Sequence, residues 1–141
     1  MGGYAKTPYF YLDDADRALL TTCREDHTRL GMALQICTAR FLGTFLTDPT
    51  DVPPGAVAYV AAQLAITDPT CLALYAVRKT HWKHAAHIEA AYTYRPFGGQ
   101  PQHFRFLRWL YARTWIGTER PSVLFDRATA WLVLQKILLP V

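Results

Sequence analysis

Three histidines in the middle of the chain are the residues best placed to do metal chemistry. His81, His84 and His87 follow one another at intervals of three. On a helix, this spacing keeps two neighbours on one face, while the third has turned away by about 120°. The segment has no HExxH motif and no carboxylate or thiolate at a ligand offset. We therefore predict no metal site, with His81 facing inward on a helix and His87 facing outward.

Nucleophilic chemistry has little support in the sequence. The cysteines are Cys23, Cys37 and Cys71, an odd number with wide spacing and no CxxC motif. That pattern is typical of buried free thiols in a reducing compartment. The serine Ser122 lies outside any GxSxG motif, and no pair of carboxylates suggests acid–base work. We predict that this chain is not an enzyme by itself.

A basic segment carries the residues that could bind a polyanion. Residues 78–113 contain seven Lys and Arg residues and one acidic residue, whereas residues 1–77 contain five basic and eight acidic residues. In a helix over this segment, Lys79, Lys83 and His87 form one stripe at i, i+4 and i+8. Such a stripe could follow a phosphate backbone. The alternative is a solvated helix face whose charge the acidic part of the chain compensates.

A helix predicted over residues 102–116 offers a second basic face. Arg105, Trp109 and Arg113 fall together on its predicted outer side, with Arg108 at the margin. Arginine can bond phosphates or guanine, and an exposed tryptophan can stack or wedge between bases. Alternatively, the side chain of Trp109 is partly buried in a second hydrophobic core. The predicted inner side consists of Phe104, Leu107, Tyr111 and Trp115.

Two more arginines lie on one side of an earlier helix, because Arg29 and Arg40 are eleven residues apart. They either extend the basic patch or pair with acidic residues of the predicted first helix. The sequence leaves both possibilities open.

Helical patterning runs through nearly the whole chain, with no long alternation of period two. The first helix is predicted to begin at Asp13 or Asp14 and to run to about Cys23. The second is predicted from near Asp26 to a stop at Gly43. Leu30, Leu34, Cys37 and Phe41 form its apolar stripe.

Proline and glycine punctuate the rest of the chain. A loop over residues 47–55 precedes a third helix, and Asp68 is predicted to cap the next one with Pro69 in its first turn. That helix is predicted to bend or break near Arg78. The last helix is predicted from about Pro121 to Leu139, and it is apolar almost all round, so it is buried or packs against another surface.

Length and composition set the overall class. A chain of 141 residues with 51% hydrophobic and 18% charged residues excludes intrinsic disorder, and it lacks an apolar run long enough to span a membrane. The first fourteen residues lack a basic segment followed by an apolar one, so no signal peptide is expected there. We predict an all-α fold, a compact bundle of six to seven helices, with an N-terminal arm over residues 1–12 and one helical domain over residues 13–141.

The segment DHTRLGMALQI, residues 26–36, resembles the DHNRLGFALQL signature of the Tn-three family of replicative transposases. Its motif residues are Asp26, His27, Arg29, Leu30 and Gly31, while Thr28 and Met32 depart from the family pattern. Further segments resemble the family in the same order, at residues 40–45, 51–54, 59–64, 92–97 and 137–140. The resemblance covers most of the chain.

The resemblance implies that this region is the first DNA-binding module of such a transposase, helical and helix-turn-helix-like. It would help to recognise the terminal inverted repeats of the transposon, in the cytoplasm of a bacterium and associated with the nucleoid. The family's magnesium-dependent DDE catalytic domain would lie elsewhere, so no cofactor is expected in this region. Implied partners are double-stranded DNA, the following domains and, in a homodimer, a second copy. The rival hypothesis is a protein-interaction or oligomerisation module, or an inactive remnant, without DNA affinity.

The polar residues of the motif have two interpretations. Asp26 could be the N-cap of the second helix, with His27 and Arg29 as a polar brace between helices. Alternatively, these side chains could contact DNA directly.

Overall fold

A computed structural model describes residues 9–77, 80–99, 101–117 and 120–140, although not the side chains of residues 115 and 116. Within these ranges the regular structure is helical, which confirms the all-α prediction. The α-helices are α1 (Asp14–Leu20), α2 (Asp26–Leu42), α3 (Pro54–Gln63), α4 (Leu72–Val77), α5 (Thr80–Tyr92), α6 (Gln102–Ile116) and α7 (Pro121–Leu134). A 3₁₀ turn at Pro69–Cys71 precedes α4.

The chain divides into two compact units, Met1–Ile88 (unit 1) and Glu89–Val141 (unit 2), with the boundary inside α5. The single domain over residues 13–141 therefore stays a prediction. Of the N-terminal arm, residues 1–8 lie outside the described residues, and so do residues 78 and 79, where a bend was predicted. None of the helices in the described ranges is long and apolar enough to cross a membrane.

Unit 1 is built around α2, which contacts α1, α3 and α4. The predicted stripe is confirmed at Leu30, Leu34 and Cys37, whose side chains are fully buried. Burial extends beyond that stripe to Met32 and Ile36. A helix that is covered on most sides in this way is the centre of its core rather than an element at the surface.

Local capping chemistry explains where the helices of unit 1 begin. The carboxylate of Asp13 accepts a hydrogen bond from the backbone N–H of Asp16 at 2.8 Å, and the Asp16 carboxylate accepts one from the N–H of Asp13 at 3.1 Å. This reciprocal pair confirms the predicted start of α1. Asp68 likewise accepts from the N–H of Thr70 at 3.1 Å. The predicted stop of α2 at Gly43 is also confirmed, since this residue has φ 78°, which glycine adopts readily.

Two predictions about helix ends in unit 1 are wrong. Asp26 is the first residue of α2 rather than its N-cap, because Glu25 occupies the cap position and makes no side-chain cap bond. The first helix ends at Leu20 instead of Cys23. The hydroxyls of Thr21 and Thr22 bond back to backbone carbonyls three residues earlier, which favours a turn over another helical turn.

Helices α2 and α4 approach each other most closely at Gly31. A Cβ atom placed on Gly31 would lie 2.3 Å from the ring of Tyr75, which is fully buried. Only a residue without a side chain fits there. The glycine of the family motif is therefore required by helix packing.

Unit 2 packs α6 against α7. Its core consists of Phe106, Leu132 and Ile137, and the partly buried residues around it include Phe97, Leu110 and Trp131. The predicted end of the last helix at Leu139 is wrong, because α7 stops at Leu134. Lys136 has φ 56°, which turns the chain so that Ile137 enters the core. Two backbone hydrogen bonds, each 2.8 Å long, hold the turned segment in place. The N–H of Arg95 donates to the carbonyl of Lys136, and the N–H of Leu138 donates to the carbonyl of Arg95.

Candidate nucleic-acid interface

Helix α6 presents a different face to its core than its sequence predicts. Phe106 is buried, whereas Phe104, Leu107 and Tyr111 are 60%, 48% and 68% exposed. The predicted inner side is therefore wrong at these three positions, and the side chain of Trp115 lies outside the described part. The physical reason is that α6 carries two apolar stripes, and the one containing Phe106 is covered by Phe97 and Trp131.

Trp109 belongs to the core side of α6. Its ring stacks on that of Trp131, with 5.7 Å between centroids, and on that of Phe106 at 6.4 Å. Trp109 is half-buried, which confirms the alternative prediction that it lies partly buried in a second core. The guanidinium of Arg113 lies over the Trp109 ring at 5.7 Å, and this arginine is half-buried too. Neither residue projects from the outer side of the helix.

The outer side of α6 combines basic and apolar side chains. We call it the α6 outer face, and it consists of Phe104, Arg105, Leu107, Arg108 and Tyr111. Arg105 and Arg108 are exposed, and within the described ranges their side chains make no hydrogen bond or ion pair. No acidic residue occurs between positions 102 and 116. The face is therefore positively charged and open to a ligand.

Helix α5 contributes a smaller basic row. Lys83 and His87 are exposed one turn apart, and Trp82 beside them is 63% exposed. The third predicted member of the row, Lys79, lies outside the described residues. Lys83 and His87 belong to unit 1 and the α6 outer face to unit 2, so each is a separate candidate contact surface.

Arg40 is engaged inside unit 1. Its guanidinium donates to the carboxylate of Asp16 at 2.7 Å and to the carbonyl of Tyr11 at 3.2 Å. Asp16 is fully buried. Burial of the guanidinium lowers the pKa of Arg40, but the hydrogen bond and charge of Asp16 outweigh that effect, and the pKa is raised overall. The predicted alternative, pairing with the acidic first helix, is thus confirmed for Arg40.

Arg29 holds two elements of unit 1 together. It donates to the carboxylate of Asp26 at 3.3 Å and to the carbonyl of Leu64, at the end of α3, at 3.2 Å. His27 of the same motif is buried, with its ring nitrogen 3.6 Å from the carboxylate of Glu25. The brace between helices is confirmed for Arg29, and direct DNA contact by this motif stays a prediction.

The formal charge is distributed unevenly between the two units. Unit 1 contains eight Lys and Arg residues and eight Asp and Glu residues, so its net charge is zero. Unit 2 contains seven basic and three acidic residues, so it carries the whole net charge of +4. A polyanion would therefore be attracted mainly to unit 2.

Two of the central histidines contribute to a buried hydrogen-bond network rather than to a metal cluster. The amide of Gln35 donates to the hydroxyl of Tyr75 at 2.7 Å and to the carbonyl of His81 at 3.1 Å. That hydroxyl is 2.8 Å from Nδ1 of His84. As predicted, His81 is partly covered and His87 is exposed. Among the described residues, no group of three or more His, Cys, Asp or Glu side chains could hold a metal ion.

The network predicts that unit 1 loses stability in mild acid. Burial, followed by the charges of His87 and His81, lowers the pKa of His84 below its usual 6.5. Between pH 6.5 and the lower folded pKa, the unfolded chain binds more protons, so the free energy of unfolding falls as pH falls. Urea unfolding at pH 7.5 and 5.5 should show this decrease, and it should be smaller in His84→Gln. His103→Gln in unit 2 is the control, since His103 is not among the groups that shift the pKa of His84, and an equal decrease in both variants would contradict the assignment to His84.

Residues 6–141 match the family described as "Domain of unknown function (DUF4158)". Because the match covers nearly the whole chain, this chain belongs to that family.

Several relatives that this chain matches are transposases, and they confirm the resemblance to the Tn-three family. The chain is 50% identical over 147 residues to "Transposase for transposon gamma-delta" of Escherichia coli (strain K12), covering 99% of this chain and 15% of the relative. It is 33% identical over 91 residues to "Transposase for transposon Tn501" of Pseudomonas aeruginosa, covering 64% of this chain and 9% of the relative. The match to "Transposase for transposon Tn3926" of Escherichia coli is 27% identical over 133 residues, covering 94% of this chain and 13% of the relative. The chain thus spans 15% or less of the length of these three relatives.

Proposed function

We propose that this chain is a double-stranded DNA-binding module of a Tn-three family transposase. Its target would be the terminal inverted repeats of a transposon in the bacterial cytoplasm. In this proposal the module binds without a cofactor, and the DDE chemistry with its magnesium belongs to other parts of the transposase. The membership of the family and the transposase relatives support this assignment.

The observation that carries the proposal is the α6 outer face. Arg105 and Arg108 are exposed on a helix without acidic residues, in the unit that holds the net positive charge. Guanidinium groups form charge-assisted bonds to phosphates, and the release of counterions from DNA favours binding. We therefore propose that these two arginines contact the DNA backbone or bases.

The remaining candidates differ in what their side chains already contact. Lys83 and His87 are exposed and would add phosphate contacts, together with Lys79. Arg113 would contribute at the margin, because its guanidinium already lies over the Trp109 ring. Arg29 and Arg40 would act mainly by holding unit 1 together.

A salt titration tests the proposal. A fluorescent duplex carrying the terminal inverted repeat of transposon gamma-delta is titrated with the 141-residue chain, and binding is followed by anisotropy. If about six phosphates are engaged, log K should fall with log salt at a slope near −5. No binding at low salt, or a slope near zero, would refute DNA binding.

Arg105→Ala should weaken binding to all duplexes and reduce the salt slope by about 0.9, the loss of one phosphate contact. The matched control is Arg24→Ala, which removes an exposed arginine from unit 1. If both variants lower the affinity equally, the effect comes from net charge, and the α6 outer face is not the contact surface.

A protein-interaction module is the second candidate function. Phe125 and Leu134 of α7 are 71% and 80% exposed, and such apolar surface favours a protein partner. Light scattering discriminates the two candidates. A stable dimer without DNA affinity supports the interaction module, whereas a monomer that binds DNA supports the first proposal.

A further inference from the structure

We propose that α6 is a recognition helix that enters the DNA major groove and reads thymine through its 5-methyl group. This inference rests on the proposed DNA binding and adds the groove and the base chemistry. Phe104 and Leu107 would contact thymine methyl groups, and Arg108 on the same face would bond a guanine.

The apolar part of the α6 outer face is the starting observation. Phe104, Leu107 and Tyr111 occupy positions i, i+3 and i+7 and form one continuous row. They are 60%, 48% and 68% exposed, although unit 2 has its own aromatic core on the opposite side of the helix. A contiguous exposed apolar row indicates a surface that is covered by a partner.

Charge decides which kind of partner fits this row. Arg108 is one turn after Phe104 and next to Leu107, and Arg105 borders the same face. The helix lacks carboxylates that would repel DNA. A purely apolar groove on a protein would leave both guanidinium groups without partners, whereas DNA offers acceptors for arginine and methyl groups for apolar side chains on adjacent bases.

The dimensions of the row suit the major groove. Phe104 and Tyr111 are seven residues apart, which corresponds to about 10.5 Å along the helix axis. Base pairs in DNA rise by about 3.4 Å, so the row spans about three consecutive base pairs. The major groove is about 12 Å wide and admits an α-helix, and the thymine methyl group is exposed there.

The test removes single methyl groups from the DNA. Duplexes are selected for binding to the chain from a random-sequence pool at about 150 mM salt, and thymines of the selected site are then replaced one at a time by deoxyuridine. Deoxyuridine lacks only the 5-methyl group. At one to three adjacent positions, we expect the affinity to fall about fourfold per methyl, the effect of losing one buried methyl-sized contact.

A variant assigns the effect to a side chain. In Leu107→Ala, deoxyuridine at the contacted position should change the affinity less than twofold, because methyl group and side chain act as a pair. Leu134→Ala is the matched control, since Leu134 is an exposed leucine on α7 of the same unit. In Leu134→Ala, replacing the contacted thymine by deoxyuridine should still lower the affinity about fourfold.

The outcomes are distinguishable. Sequence-selective binding with no sensitivity to deoxyuridine, or with equal sensitivity in wild type and Leu107→Ala, overturns the thymine inference and leaves DNA binding intact. No selectable duplex overturns both proposals. A wild-type dimer that Leu107→Ala converts to a monomer would show that a second copy covers the row, and this too overturns the inference.

Discussion

Replacing Gly31 by alanine is expected to lower the free energy of unfolding by about 2 to 3 kcal/mol. The added Cβ atom would lie 2.3 Å from the ring of Tyr75, too close for two carbon atoms. The ring cannot easily move away, because its hydroxyl is bonded to Gln35 and His84. Alanine favours helices over glycine by about 1 kcal/mol, which offsets only part of the strain. Urea unfolding followed by circular dichroism measures the difference.

Gly55→Ala is the matched control for this prediction. Gly55 also lies in a helix, α3, but a Cβ atom there would meet nothing within 4 Å. Its stability should stay within about 0.5 kcal/mol of the wild type. If Gly31→Ala is as stable as Gly55→Ala, helices α2 and α4 do not pack through this glycine, and its place in the motif needs another explanation.

At three helix ends that local chemistry decides, the sequence predicts the structure correctly. Asp13 caps α1, Gly43 ends α2, and Asp68 with Pro69 opens the segment before α4, all as the residue types indicate. Each of these features depends on residues within four positions along the chain. The signals are therefore present in a short stretch of sequence.

The orientation of α6 could not be predicted in the same way. Its sequence contains two apolar rows, one with Phe104 and Leu107 and one with Phe106 and Leu110, and helical periodicity fits both. Long-range packing of Trp131 and Phe97 against Phe106 makes the choice. For this reason the aromatic residues that the candidate site exposes are Phe104 and Tyr111, and not Trp109.

The end of α7 depended on a long-range contact as well. The apolar residues after Leu134 continue a helical pattern, so the sequence favours a longer helix. Hydrogen bonds between Arg95 and the Lys136–Leu138 segment instead hold the chain in a turn. No signal near Lys136 reveals a partner about forty residues away.

Arg40→Met should destabilise the chain by about 3 kcal/mol, because it leaves the buried carboxylate of Asp16 without its counter-charge. The value is at the low end for a buried pair, since the side chain of Arg40 is 26% exposed. Urea unfolding at low salt is the appropriate measurement. Arg24→Met, which changes an exposed arginine, should stay within about 0.5 kcal/mol of the wild type.

A double variant separates the buried charge from the lost packing. In Asp16→Asn combined with Arg40→Met, no charge is left buried and the amide oxygen can still accept from the N–H of Asp13, so much of the stability lost in Arg40→Met should return. Equal instability of the single and double variants would contradict this explanation.

Measuring DNA binding by Arg40→Met shows whether Arg40 only stabilises unit 1 or also contacts a DNA phosphate. If Arg40 acts only as a brace, the folded variant binds with an unchanged salt slope, whereas a phosphate contact at Arg40 would reduce the slope by about 0.9.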